Sequence, residues 1–244
     1  MRIGSTHALF IDFDGTLIDL APRPSEIQVP DGLADLLVRL HRALSGALAV
    51  VTGRPIAQID QYLALPAGVA VAGVHGAQLR VDGELMSMPA LDDALAEIRP
   101  AVDRLAERHP ALLIEPKPVA LAVHFRADPS LGAMVYDELE RLVAPRPGLK
   151  LMRGHAVCEV KPVWASKGAA IERLLMLPAF AGRTPVMIGD DVTDEDGFRV
   201  VLAAGGEAIK VGEGKSLATH RMHDPGAVRH WLADTLAWLE SAGQ

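Results

Sequence analysis

Ala8-Leu9-Phe10-Ile11-Asp12-Phe13-Asp14-Gly15-Thr16-Leu17 is the stretch around which the chain is organised. Four apolar residues run unbroken and then meet two carboxylates spaced i, i+2. An apolar run of this length suits a strand buried on both faces, as in a parallel sheet. At a period of two, Asp12 and Asp14 point to one side and Phe13 to the other. Acids at the carboxyl end of a central parallel strand sit where open α/β sheets place their ligands. Two carboxylates that close repel each other, so they need a cation or one must hold a proton. The Asp-Gly dipeptide alone decides nothing, because it is a common tight-turn pair. It occurs four times, at Asp14, Asp31, Asp82 and Asp196. The copy at Asp14 is set apart by the apolar run and by Asp12.

Outward from this stretch, Leu33, Leu36, Leu37, Leu40 and Leu44 fall at helical spacing, with Asp31 placed to cap that helix. Leu48-Ala49-Val50-Val51 reads as a second buried strand, ending in Thr52-Gly53-Arg54-Pro55, where Pro55 opens the next helix. Val69 to Ala72 forms a third strand. This alternation implies a doubly wound parallel sheet. The rhythm changes after Gly76. A hairpin around Asp82-Gly83 is followed by Leu95, Ile98, Val102 and Leu105 at helical spacing, a helix that Pro100 should kink or divide. Short apolar runs at 112–114, 119–123, 149–152 and 157–160 read as strands, and 130–143 as a helix. The first rhythm then resumes. Ser166 is placed to cap a helix beginning at Lys167, and Val186-Met187-Ile188 runs into Gly189-Asp190-Asp191. Thr193 is placed to cap a helix whose Asp194, Glu195 and Asp196 suit the dipole of its first turn. Ala208 to Val211 reads as a last strand, and Val228, Trp231, Leu232, Leu236 and Leu239 mark a closing helix. The expected fold is α/β: a doubly wound core from 1–76 and 161–244, carrying an inserted α+β domain at 77–160.

At 244 residues, half of them hydrophobic, the chain can bury one large core or two modest ones. Its net charge of −7, with no basic run, argues against nucleic acid or an anionic membrane as partner. A single cysteine, Cys158, excludes an intrachain disulfide and reads as a small buried hydrophobe. It suits a reducing cytoplasm. Asp12 and Asp14 interrupt the early apolar run, so a signal peptide is not expected. No run approaches the roughly 18 apolar residues of a membrane span. No residue fixes the oligomeric state, and a monomer is the starting expectation.

Asp12-Phe13-Asp14-Gly15-Thr16, Thr52, Lys167 and Gly189-Asp190-Asp191, in this order and each at a strand or helix boundary, resemble the haloacid dehalogenase superfamily of phosphohydrolases. The resemblance implies that Asp12 is a nucleophile and Asp14 a general acid/base. It implies Mg²⁺ held by the Asp12 carboxylate, the Asp14 backbone carbonyl and Asp190, with Asp191 and Asp194 supporting these ligands. Phosphoryl oxygens would be held by Lys167, Thr52 and groups around Asp14, Gly15 and Gly53. The chemistry is coherent. A carboxylate can attack phosphorus and split one hard displacement into two easier ones, and Mg²⁺ takes hard oxygen ligands. ATPase relatives carry Thr at the second acidic position, so Asp14 favours a phosphatase or phosphomutase.

A closer resemblance is carried by Gly189-Asp190-Asp191-Val192-Thr193-Asp194-Glu195, Gly73-Val74-His75-Gly76-Ala77, Glu115-Pro116-Lys117 with His124-Phe125-Arg126, and Glu159-Val160-Lys161-Pro162. Together these are similar to the trehalose-6-phosphate phosphatases. The insert would then be a cap that reads the sugar of a small sugar phosphate, in trehalose biosynthesis. Lys117 and Glu159 are implied as contacts to hydroxyls of the distal glucose, with His124, Arg126, Arg153 and His155 as further contacts. Without the resemblance, Lys117 and Glu159 read as a surface ion pair. Two departures stand out: Gln78, where the family often has Glu, and His155, where Lys is common. The alternatives are a phosphatase or phosphomutase acting on glycosylglycerate phosphate or a hexose phosphate, or an inactive regulatory module. The last normally lacks a catalytic acid or the lysine, and none is lost here.

Overall fold

The computed structural model describes residues 2–21, 26–86, 93–117, 119–154 and 156–242. The chain divides into two compact units, Met1–Ser87 with Ser166–Gln244, and Met88–Ala165.

The first unit opens with β1 (His7–Ile11), α1 (Leu33–Ala43), β2 (Leu48–Val51), α2 (Ile56–Leu63), β3 (Ala70–Gly73), β4 (Gln78–Val81) and β5 (Glu84–Leu85). The second contains α3 (Asp93–Arg108), β6 (Leu113–Lys117), β7 (Ala120–His124), α4 (Gly132–Val143), β8 (Leu149–Gly154) and β9 (Val157–Pro162). The first unit then resumes with α5 (Lys167–Leu175), β10 (Thr184–Gly189), α6 (Asp194–Ala203), β11 (Glu207–Val211), β12 (His220–Met222) and α7 (Pro225–Ala242).

Among the described residues its eight strands run in the order β12-β11-β10-β1-β2-β3-β4-β5, parallel from β12 through β3. The central strands are apolar and buried along their length, as a sheet covered on both faces requires. Phe10 of β1 stacks on Phe180 with ring centroids 5.5 Å apart. Because β1 lies between β2 and β10, the sequence order reverses at β1, the switch point where such sheets open a crevice. Among the described residues no helix is long and apolar enough to cross a membrane.

Several local expectations are corrected. The Asp82-Gly83 hairpin forms, with φ of 51° and 83° as a type I′ turn needs. It belongs to the first unit, however. β4 pairs antiparallel with β3 and covers what would otherwise be a bare sheet edge, so the division falls after Ser87 and not after Gly76. At the other end β9 runs on to Pro162, and the first unit resumes at Ser166. Asp31 does not cap α1, which follows Gly32 at φ 78° with no side-chain cap. Thr193 makes no capping hydrogen bond, whereas Ser166 accepts from Ala169 N as expected. α3 runs through Pro100 as one helix. Leu95 and Ile98 before it and Val102 and Leu105 after it are buried in one core, and this packing outweighs the roughly 3 kcal/mol that an interior proline costs.

The second unit is a four-stranded antiparallel sheet, β6-β7-β9-β8. Leu121, Val123, Cys158 and Val160 on one face share a core with Val102 and Leu105 of α3 and Val135 and Leu139 of α4. Cys158 is the small buried hydrophobe expected. By strand alternation the opposite face carries Glu115, Lys117, His124 and Glu159.

Candidate active site

Parallel pairing of β1 with β2 and β10 brings three strand ends together. Asp12 and Asp14 follow β1, Thr52 follows β2, and Asp190 follows β10. The turn after Asp14 needs glycine: Gly15 has φ 74°, and a Cβ there would stand 2.2 Å from Asp190 Oδ2. Gly53 is constrained by space alone, since a Cβ would stand 2.7 Å from the His75 ring.

Lys167, the first residue of α5, is only 3% exposed. Its Nζ donates to Asp12 Oδ1 and to Asp194 Oδ1, each at 2.7 Å. Asp194, fully buried at 0% exposure, also accepts through Oδ2 from Asp190 N at 3.0 Å and Asp191 N at 2.9 Å. Asp194 stands in the first turn of α6, as the helix dipole favours, and also links Lys167 to the backbone at Asp190 and Asp191. Thr16 Oγ1 donates to Asp190 Oδ1 at 3.2 Å, and Lys210 Nζ donates to the Asp190 carbonyl. Asp191 is exposed and accepts from Val192 N.

Carboxylate oxygens of Asp12, Asp190 and Asp194 lie within 4.8 Å of one another. Burial pushes the Asp12 carboxyl well up, Lys167 opposes it, and Asp194 adds to it. Burial and then Asp194 raise Asp190 as well. Burial also works against the Lys167 ammonium, but Asp12 and Asp194 outweigh it and hold the lysine charged above its ordinary value. One lysine thus faces three carboxylates, and a divalent cation would offset the surplus. Asp194 already accepts three hydrogen bonds, whereas Asp12 and Asp190 each keep an oxygen with no hydrogen bond described to it, so these two are the better placed to ligate and Asp194 fixes their surroundings. Hard oxygen donors of this kind suit Mg²⁺ better than a soft metal.

Thr52 is buried and accepts from Arg54 N at 3.1 Å, which leaves its own proton available to donate. Gln78, at the position where Glu is common, accepts from Ile56 N at 2.9 Å and so serves as a carboxylate would at the start of α2. Arg54 was not anticipated. Its Nε and Nη2 donate to the two oxygens of Asp14, each at 2.7 Å, and this hydrogen bonding raises its pKa.

A model of the trehalose-phosphatase family matches residues 10–224. The chain belongs to this family. It is 36% identical over 232 residues to the trehalose-6-phosphate phosphatase of Escherichia coli, covering 95% of this chain and 87% of that one. The structure is similar to that of Aspergillus fumigatus trehalose-6-phosphate phosphatase, with a TM-score of 0.78 at 27% identity, over 96% and 93% of the two chains. The fold alone is shared with the sucrose-phosphatase of Synechocystis sp., at a TM-score of 0.63 and 18% identity, over 96% of this chain and 98% of that one.

The match to the family model runs through the second unit. There Lys117 Nζ donates to Glu159 Oε2 at 2.6 Å, and His124 pairs with Glu115 at 2.7 Å. Arg126 is exposed in the turn after β7. Arg153 is not brought together with these residues. It pairs in register with Cys158 on the helix-covered face, and its guanidinium lies 3.3 Å from the centroid of the Tyr136 ring on α4. His155 lies outside the described residues.

Proposed function

We propose that this protein hydrolyses trehalose 6-phosphate to trehalose and inorganic phosphate through an aspartyl-phosphate on Asp12. The observation that carries the reading is the buried lysine held between Asp12 and Asp194 at the end of the central strand, within a trehalose-phosphatase family chain. The Asp12 carboxylate attacks phosphorus while the bond from phosphorus to the sugar oxygen breaks and Asp14 gives that oxygen a proton. Asp14 then takes a proton from water, whose oxygen attacks phosphorus and releases phosphate from Asp12. Lys167, Thr52 and the backbone N–H groups at Gly15 and Gly53 hold the phosphoryl oxygens. Asp12, the Asp14 carbonyl and Asp190 would hold Mg²⁺, which would supply charge that offsets repulsion between nucleophile and phosphate.

Lys117 and Glu159 are assigned to sugar hydroxyls, with His124 and Arg126 beside them in the sequence motif. Each buried hydroxyl needs a polar partner, and such a site rejects sugars that leave its own groups unpaired. We further propose that it acts in the cytoplasm, which its single cysteine suits, as a monomer on a small molecule in trehalose biosynthesis.

The test is kcat/KM with Mg²⁺ across trehalose 6-phosphate, sucrose 6-phosphate, glucosylglycerate phosphate and glucose 6-phosphate. A preference of about 10²-fold or more for trehalose 6-phosphate is expected. Equal rates on glucose 6-phosphate overturn the disaccharide reading, and no phosphate release from any of them overturns the enzyme.

A further inference from the structure

Arg54 carries more contacts than a charge-neutralising arginine needs. Its Nε and Nη2 form a fork on Asp14 Oδ2 and Oδ1, both at 2.7 Å. Nη1 donates to Gln58 Oε1 at 3.3 Å. Its Cζ lies 5.9 Å from the Phe13 ring centroid and 5.3 Å from that of Tyr62. These two rings themselves stack with an interplanar angle of 22°. The backbone N of Arg54 is tied to Thr52 Oγ1. The Arg54 side chain is 9% exposed and that of Asp14 is 29% exposed. The guanidinium is therefore the fixed partner and the carboxylate the one being held.

A lone carboxylate on the turn before Gly15 samples several rotamers. A bidentate fork fixes both the position and the plane of its oxygens, which a lysine point charge does not. The fork uses one lone pair on each oxygen, and a carboxylate has about four such sites, so acceptor capacity remains for a proton or a water.

We propose that Arg54 is a positioning residue for Asp14. It holds the carboxylate in one orientation beside Asp12, so that proton delivery to the leaving oxygen and proton removal from water both start from a set geometry. The inference rests on Asp14 being the acid/base of the reaction proposed above. Placement errors of about 1 Å cost on the order of 10²-fold in rate, and that sets the expected effect.

The test is a double-mutant cycle read by single-turnover phosphate release from trehalose 6-phosphate, with steady-state KM measured alongside. Arg54→Lys keeps the charge and loses the fork, and Arg54→Gln is the second variant should the first fail to fold. Arg54→Lys is expected to lower the rate about 10²-fold with KM changed by no more than about threefold. In an Asp14→Ala background the same substitution is expected to change the rate by less than about twofold. A rate within about threefold of wild type, a loss expressed in KM, or equal losses in both backgrounds overturns the positioning role. If Asp14→Ala alone turns over normally, the acid/base reading of Asp14 has failed, a result separable from those three.

Discussion

Asp12 and Lys167 stand 155 residues apart in the chain, yet Lys167 Nζ lies 2.7 Å from Asp12 Oδ1 with both residues buried. Burying such a pair gains little stability, because desolvation cancels most of the attraction. Its retention therefore points to chemistry. Removing one partner is a different matter. Lys167→Met leaves Asp12 and Asp194 uncompensated and is expected to destabilise the fold by about 3–5 kcal/mol and to stop phosphate release. Asp12→Asn still offers Lys167 an acceptor and is expected to stay folded and inactive. Denaturant titration with a phosphate assay checks both. An unchanged unfolding midpoint in Lys167→Met would mean that the lysine does not hold these carboxylates.

Metal addition should be visible without turnover. A cation binding only the native state at 100 times its Kd adds about 2.7 kcal/mol of stability. Mg²⁺ is expected to raise the Tm of the wild type and chelation to reverse it. Asp190→Asn, which removes a carboxylate that Thr16 holds in place, is expected to abolish the rise. The same Tm response in both proteins would move the metal away from Asp190.

The polar face of the second unit makes a prediction with an internal control. Lys117→Ala and Glu159→Ala are each expected to lower kcat/KM for trehalose 6-phosphate about 10- to 10²-fold. Turnover of p-nitrophenyl phosphate, which carries no sugar, should change little. Arg153→Ala lies on the opposite face and is expected to leave both rates within about twofold, since surface changes away from a site are usually mild. A large effect at Arg153 confined to the sugar substrate would reverse this assignment.

His41 gives a pH prediction away from the site. Burial holds it below its ordinary 6.5, with Asp82 opposing, and its buried Nδ1 has no hydrogen-bond partner among the described residues. The fold thus prefers neutral His41. Its contribution to stability is present above the ordinary value and lost as pH falls through the lowered one. Between about pH 7.5 and pH 5, His41→Gln should lose less Tm than the wild type. Parallel curves would place the sensitive proton on another group.

The core strands were legible because burial on both faces writes itself as unbroken apolar runs, as in β1, β2 and β10. β12 was not, because His220-Arg221-Met222 is a polar edge strand defined only by its pairing with β11. Thr52, Lys167 and Asp190 stood at strand and helix ends where motif spacing finds them. Asp194 and Arg54 had adequate local explanations, a helix first turn and a helix entry. Each also has a charged partner far off in the chain, Lys167 at 27 residues and Asp14 at 40, which for Asp194 only the family resemblance pointed towards. That Arg153 lies on the face opposite Lys117 and Glu159 follows from the register of β8 on β9, which composition does not reveal.

The central place of β1 also bears on how the protein is made. One neighbour of β1 is β2, available early, but the other is β10, whose last residue is Gly189. A ribosome must therefore complete the whole of Met88–Ala165 before the oldest strand can acquire its second partner. The second unit, one unbroken segment with its own core, can close on itself as it emerges. Until then Asp12 and Asp14 stand at the end of a half-paired strand, and a chain truncated before β10 carries Asp12 without the Asp190 and Asp194 that surround it in the folded protein.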